Sequence, residues 1–228
     1  MTKYLVKDKE ELQEIIKTNS KPLNSLDVSN ITDMSFLFSY ISNVTYFDID
    51  SWDTSNVTNM NSMFDGCTSL ITIPLLDTSN VSDISYIFYN CTSLITIPLL
   101  DNSNVTNMNS TFDGCSSLTT IPLLDTSNVI SMSFMFDGCS SLTTIPLLDT
   151  SNVTNMNSTI SGCTSLITIP LLDTSNVTSM SFMFDGCSSL PLVDKILFLE
   201  KSNNDFKRQI YLQMSQEQLQ QKYDNLIV

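Results

Sequence analysis

The strongest constraint on this chain is a ladder of cysteines that recurs every 24 residues. The ladder comprises Cys67, Cys91, Cys115, Cys139, Cys163 and Cys187. Two polar columns share its period, one of aspartates (53, 77, 101, 125, 149 and 173) and one of asparagines (56, 80, 104, 128, 152 and 176). A fixed period of this length is typical of units that stack along an axis, since each unit is too small to bury its own apolar face.

The ends of the chain differ in composition from this repetitive body. Residues 1–20 have a helical pattern, with Asp8 as a candidate N-cap and acidic residues in the first turn. Ser215 and Gln218 form a candidate capping box near the carboxy terminus. We therefore predict an N-terminal helical cap (1–26), a repeat solenoid (27–190) with a 26-residue first coil and 24-residue coils after it, and a C-terminal helical cap (191–228).

Each coil contains short segments that resemble two strands and a helical turn. Leu70–Ile73 is short and rich in branched residues, and Pro74 ends it. Val57–Met60 is a second extended segment, and Ser62–Asp65 predicts a helical turn that ends at Gly66. The predicted fold is a β-rich solenoid of 24-residue leucine-rich-like repeats, with parallel strands and short helical turns, capped by a helix at each end.

The cysteines are interpreted as small buried side chains, since each follows an aromatic or apolar residue and, in five of six coils, a glycine. Disulfides are an alternative, because stacked coils place equivalent residues within bridging distance, although their side chains point in parallel. Metal binding is a weaker alternative, since the chain has neither histidine nor a C-x-x-C pair.

Charge is distributed unevenly along the chain, whose formal net charge is −14. Residues 22–194 contain no Lys, Arg or Glu, whereas Asp occurs there 16 times. An anionic body repels phosphate backbones, so nucleic acid is excluded as a partner. No apolar run approaches the roughly 20 residues of a membrane-spanning helix, and the opening residues lack the apolar segment of a signal peptide. We therefore expect no membrane insertion and no encoded export signal.

Both polar columns allow a ligand-related and a structural interpretation. The Asn56 column matches glycosylation sequons in several coils, but it also fits an amide ladder that joins one coil to the next. Stacked carboxylates in the Asp53 column could bind calcium, but aspartates that cap turns explain the same pattern. We favour the structural interpretation of each column.

Two further columns alternate from coil to coil. One alternates Asn and Ser, at 61, 85, 109, 133, 157 and 181. Its neighbour alternates Ser with an aromatic residue, as in Ser62, Tyr86, Ser110, Phe134, Ser158 and Phe182. Interdigitated packing is one explanation. Recent duplication of a two-coil block is the favoured one, since residues 131–142 and 179–190 are identical.

The repeat resembles the BspA-like leucine-rich-repeat proteins, in the branch with the pattern D-x-S-N-V-T-x-M-x-x-M-F-x-x-C-x-S-L. Asp53–Met60, Met63–Phe64, Cys67 and Ser69–Leu70 carry this pattern here, and the resemblance covers about residues 27–190. It implies a right-handed solenoid displayed on a cell surface, where such proteins serve adhesion to host proteins or to other cells. The compartment of this chain is left open.

Catalysis is not expected, because a chain without histidine lacks the commonest general base, and nucleophile and phosphate motifs are absent. No cofactor and no metal site are predicted. The favoured hypothesis is a non-catalytic recognition module that binds a basic or host-surface protein, and the alternative is a structural spacer without a ligand. Six residues that vary between coils at matching positions are the predicted outward contacts: Asn59, Asp83, Asn107, Ser131, Asn155 and Ser179.

Overall fold

The computed structural model describes residues 2–191 together with 194 and 195. The chain opens with strand β1 (Tyr4–Leu5), helix α1 (Lys9–Thr18), a 3-10 helix (Leu23–Ser25) and strand β2 (Leu26–Asp27). Strands β1 and β2 pair in parallel, Tyr4 with Leu26 and Leu5 with Asp27. The predicted C-terminal cap lies outside the described residues, apart from 191, 194 and 195.

Helix α1 confirms part of the helix predicted over residues 1–20, whereas Tyr4–Leu5 forms strand β1 instead. The Asp8 carboxylate accepts a hydrogen bond from the Glu11 backbone N–H at 3.0 Å, so it caps the helix as expected. Asn19 ends the helix in the left-handed conformation, with φ of 48°. The buried side chains Leu12 and Ile15 belong to the same apolar core as the coils, which closes the first end of the stack.

The 24-residue period is visible in the pairing of the backbone. Single parallel β-bridges connect residues at equivalent positions of consecutive coils: Asp33 with Asn59, Asn59 with Asp83, Asp83 with Asn107, Asn107 with Ser131, Ser131 with Asn155, and Asn155 with Ser179. Equivalent side chains are thereby aligned in columns along the stack, as the sequence predicts. We call this series of bridged residues the bridge column.

Regular strands are much rarer than predicted. Apart from β1 and β2, the described residues form no regular strand, and the coils are joined by these isolated bridges and by further backbone hydrogen bonds. The predicted strand Leu70–Ile73 has one backbone bond to the previous coil, from Ile71 N–H to the Thr45 carbonyl at 3.0 Å. Because Pro74 has no N–H to donate, the ladder does not extend along this segment. The β-rich description is therefore wrong for the described coils.

The predicted helical turn Ser62–Asp65 is also wrong. Ser62 has a φ of 53°, in the left-handed region, and a right-handed helix cannot continue through such a residue. Instead, consecutive tight turns form, in which Asp65 N–H donates to the Ser62 carbonyl and Cys67 N–H donates to the Phe64 carbonyl. A sharp bend results at this corner of the coil.

Large side chains in register fill the core. Phe38, Phe64, Phe88, Phe112 and Phe136 stack along the axis, with ring centroids of neighbours 5.5–5.7 Å apart. All six cysteines are buried free thiols, which confirms the favoured interpretation over disulfides. Each thiol donates to a carbonyl of the preceding coil, as Cys115 Sγ does to the Phe88 carbonyl at 3.1 Å. Burial raises the pKa of the Cys67 thiol to about 12.

Both polar columns have the structural roles that the sequence favoured. Asn80 Nδ2 donates to the Ser55 carbonyl of the previous coil at 2.7 Å, and the other asparagines repeat this contact. The ladder thus runs from amide to backbone rather than from amide to amide. In the aspartate column, Asp77 Oδ1 accepts from the Ser79 backbone N–H at 3.0 Å, which caps the turn.

Candidate functional site

The six predicted contact residues form the bridge column from Asn59 onward, so the structure does bring them together on one side of the stack. All six are half-buried. Their backbone holds the coils in register, and their side chains are engaged within the chain. Their role in recognition stays a prediction.

Four of the six side chains cap the bend that follows them. Asn59 Oδ1 accepts from the Asn61 backbone N–H at 2.9 Å, and Asp83 Oδ1 accepts from Ser85 N–H at 2.8 Å. Asn107 and Asn155 make the same contact with Asn109 and Asn157, each at 3.1 Å. These local bonds satisfy a backbone donor that the bend leaves unpaired.

The other two members, Ser131 and Ser179, are too short to cap in this way. Asn109 of the preceding coil reaches across instead, and its Oδ1 accepts from Ser133 N–H at 3.0 Å and from Ser131 Oγ. Asn157 does the same for Ser181 N–H, at 2.7 Å. The sequence interpretation missed this cause of the Asn/Ser alternation at two of its three pairs. At the first pair, Asp83 caps the Ser85 bend, and Asn61 Nδ2 donates to Ser85 instead.

A row of exposed aromatic side chains lies beside the bridge column. We call Phe36, Tyr86, Phe134 and Phe182 the aromatic row; these side chains are 41–54% exposed. They occur in alternate coils, and the intervening position is a buried serine, as at Ser62, Ser110 and Ser158. The rings therefore project from the surface and are separated by notches over the small serines. The sequence shows this alternation, but it does not show that the aromatic rings are exposed.

Every member of the aromatic row has a left-handed backbone, with φ of 58–59°. This conformation is rare for bulky residues and costs on the order of 1 kcal/mol. Coil stacking supports it in three of the four, because the N–H groups of Phe36, Tyr86 and Phe134 donate to carbonyls of the next coil, at 3.0, 2.9 and 2.8 Å. Serine adopts the same conformation in the other coils, so folding does not require a ring here.

An acidic column adjoins the aromatic row. It consists of Asp65, Asp113, Asp137 and Asp185, which lie three residues after the left-handed position in four of the coils. Ser110 Oγ donates to Asp113 Oδ2 at 3.2 Å, which shows that the two positions are in contact. Loss of solvent and the nearby Asp137 charge raise the pKa of Asp113 to about 6. Loss of solvent also raises the pKa values of Asp65 and Asp137.

At the first end of this surface, Tyr40 adds a ring that is 74% exposed. It lies over Gly66, where an added Cβ would come within 2.6 Å of Tyr40 Cδ1. A hydrogen bond to Asp65 raises the pKa of the Tyr40 hydroxyl. The surface thus combines aromatic rings with carboxylates, and among residues 22–191 it has no cation to neutralise it.

Among the described residues, no group of three or more Cys, Asp or Glu side chains is arranged to hold a metal ion. None of the helices in the described part of the chain has the length and apolar character needed to cross a bilayer.

This architecture is similar to that of a leucine-rich repeat protein. The crystal structure of the T. pallidum leucine-rich repeat protein TpLRR matches with a TM-score of 0.59 and 24% sequence identity, over 76% of this chain and 78% of that one. The similarity indicates a repeat solenoid of the leucine-rich class.

The chain belongs to the family described as "Mycoplasma protein of unknown function, DUF285", which matches residues 7–120 and 119–204. No curated protein matches the chain.

Proposed function

We propose that this protein is a non-catalytic recognition module that binds another protein through the aromatic row and the acidic column. The observation that carries the proposal is the exposed, left-handed Phe134 and its equivalents. A ring at such a position costs conformational energy, and the serine coils show that the fold can do without it. Exposed aromatic residues are also the side chains that contribute most to binding at protein interfaces.

The charge of the surface defines the partner. Aspartate carboxylates flank the rings, and residues 22–194 contain no Lys, Arg or Glu. Such a surface attracts a basic protein and accelerates its association. The resemblance to BspA-like repeats supports a partner on a host or neighbouring cell surface, with adhesion as the biological result. The bridge column contributes polar contacts at the edge of this surface.

Replacement of the rings by the residue that alternate coils already contain tests the proposal. The triple variant Tyr86→Ser, Phe134→Ser and Phe182→Ser should keep the fold, because Ser62, Ser110 and Ser158 occupy the same backbone position. Binding to an array of folded proteins would be measured at low and high salt for both chains. We expect the parent chain to bind a subset of basic proteins in a salt-sensitive manner, and the triple variant to lose at least about tenfold in affinity.

Binding by the triple variant that equals that of the parent would contradict the proposal. Absence of binding by either chain would favour the alternative, a structural spacer. The identity of residues 131–142 with residues 179–190 supports that alternative, because selective recognition generally uses different residues at different sites.

A further inference from the structure

A second exposed row lies on a different part of each coil. Leu75, Leu99, Leu123, Leu147 and Leu171 are 50–68% exposed, although each is followed directly by a buried leucine. The five side chains come from five consecutive coils, so they form one continuous apolar ridge. Monomeric soluble proteins rarely expose long contiguous apolar patches, and such patches commonly mark interaction sites.

The leucine row is accompanied by a row of carboxylates. Burial alternates along this segment: Leu99 is exposed, Leu100 is buried, and Asp101 is exposed again. In an extended chain, residues two apart point the same way at a separation of about 6.6 Å. The aspartates at 77, 101, 125, 149 and 173 therefore run parallel to the leucines, and we call the two rows together the leucine–aspartate strip.

Hydrogen bonds hold these carboxylates in place and in the charged form. Asp101 Oδ1 accepts from Ser103 N–H, and Asp149 Oδ1 accepts from Ser151 N–H, each at 3.0 Å. Hydrogen bonds from these serines lower the pKa of both carboxyl groups. Asp101 and Asp149 therefore remain charged throughout the neutral pH range.

Charge identifies the kind of partner. A second copy of this chain would place one anionic edge near another, because neither copy has a Lys or Arg between residues 22 and 194. Like charges in such an interface oppose association. A partner that presents an apolar stripe beside a row of Lys or Arg side chains complements both rows at once.

The spacing of the rows favours a helical partner. Coils are separated by about 4.8 Å where strands bridge, and by 5.5–5.7 Å at the stacked phenylalanine rings. One turn of an α-helix rises about 5.4 Å, so a helix that lies along the axis can place one apolar residue near each leucine. In an extended strand, side chains on the same face repeat about every 6.6 Å, so they fall out of register with the leucines over fewer coils than a helix does.

We propose that the leucine–aspartate strip docks a basic amphipathic helix of a partner protein, laid along the axis of the stack. The leucines cover the apolar stripe of the helix, and the aspartates pair with Lys or Arg side chains on its flank. This surface is separate from the aromatic row, so the two can be tested independently.

A designed peptide provides the probe. It is a helix of about 18 residues with Leu at positions i, i+3 and i+4 and Lys elsewhere, and a second peptide with Glu in place of Lys is its control. Affinity for the full-length protein would be measured by fluorescence anisotropy at low and high salt. We expect binding of the Leu/Lys peptide that weakens with salt, and at least about tenfold weaker binding of the Leu/Glu peptide.

Three variants distinguish docking on the strip from general attraction to an acidic protein. The triple change Leu99→Ser, Leu123→Ser and Leu147→Ser keeps the charge and should weaken peptide binding at least about tenfold. The triple change Asp101→Asn, Asp125→Asn and Asp149→Asn keeps an oxygen acceptor for each turn and should reduce both the affinity and its salt dependence. The aromatic-row variant, which is the matched control, should bind the peptide like the parent.

Two results would overturn the inference. One is undiminished peptide binding by the leucine variant, which would place the peptide elsewhere on this acidic protein. The other is a concentration-dependent dimer in sedimentation velocity that the leucine variant abolishes, since the ridge would then be occupied by a second copy. Neither result bears on the aromatic row, so the proposed function is tested separately.

Discussion

Asn109 caps a bend that lies in the next coil: its Oδ1 accepts a hydrogen bond from the Ser133 backbone N–H at 3.0 Å. The same oxygen also accepts from Ser133 Oγ at 2.8 Å. Where the bridge-column residue is Asn or Asp, its side chain caps the bend within the same coil. Asn107 Oδ1, for example, accepts a hydrogen bond from the Asn109 N–H. Two coils therefore form one hydrogen-bonding unit at the Asn109–Ser133 junction, and again at Asn157–Ser181.

The Asn109 contact predicts a rescue experiment. Asn109→Ser removes the acceptor of the Ser133 N–H and should lower the free energy of unfolding by about 1–3 kcal/mol. Adding Ser131→Asn should restore most of that loss, because Asn155 caps its own coil in this way. Urea unfolding of the two single variants and the double variant gives the coupling energy. Additive effects would show that the cap is not shared.

Asn102 predicts a stabilising substitution. It is buried, and neither polar atom of its side-chain amide has a hydrogen-bond partner within the described structure. Other coils have a threonine here, and Thr78 Oγ1 donates to the Asp101 carbonyl at 2.8 Å. Asn102→Thr should therefore raise the free energy of unfolding by about 1–2 kcal/mol, measured from the urea midpoint. The reverse change, Thr126→Asn, should destabilise, and a neutral result for both would contradict the assignment.

Asp113 predicts a pH-dependent stability. Its pKa rises from 3.8 to about 6 on folding, so the folded state binds this proton more tightly than the unfolded chain does. The resulting stabilisation is complete below pH 3.8 and is lost as the pH rises through about 6. Asp113→Asn should then be more stable than the parent near pH 7.5 by about 1 kcal/mol, a figure reduced for partial exposure, with little difference near pH 4.

Asp149 is the matched control for Asp113. Hydrogen bonds from Ser151 lower its pKa, so its contribution to stability is present above pH 3.8 and is lost at lower pH. Asp149→Asn should therefore not stabilise the protein near neutral pH. Urea unfolding at the two pH values separates the cases, and equal gains from both substitutions would point to a general reduction of net charge.

The cysteine column predicts slow alkylation. Cys115 is fully buried, and loss of solvent raises its thiol pKa well above 9.0. Because thiolate is the reactive form, iodoacetamide near pH 8 should modify the folded chain at least about a hundredfold more slowly than the urea-unfolded chain. Mass spectrometry of timed samples measures this, with Leu123→Cys as the exposed reference. Prompt alkylation of all thiols in the folded protein would place them outside the core.

Much of the core could be predicted because it follows directly from the period. Cys67, the Asn56 ladder and the Asp8 cap were assigned correctly from spacing and residue type. Strand content was overestimated at Leu70–Ile73, since propensity favours extended backbone but does not specify how many bonds the neighbouring coil offers. The sequence predicts a helical turn at Ser62, because a left-handed serine leaves no compositional signal.

The two surface rows were harder to predict. Leu75 and Leu76 are the same residue type, yet one is 68% exposed and the other 3%. The sequence shows the alternation at Phe134 but not the exposure of its ring, because exposure depends on the direction in which the left-handed backbone turns the side chain. Both rows depend on side-chain direction, which the period alone does not determine.

The run of stacked phenylalanines is interrupted after Phe136, since the next coil has Ile160 at that position and phenylalanine returns one coil later, at Phe184. An aliphatic side chain offers dispersion contacts but no parallel ring to the coil beneath it. The junction between these two coils therefore lacks ring stacking, although the bond from Phe136 N–H to the Thr159 carbonyl at 2.9 Å still joins them. Under tension, we expect the coils after this junction to separate together from the preceding coils, whose stacked rings remain in contact.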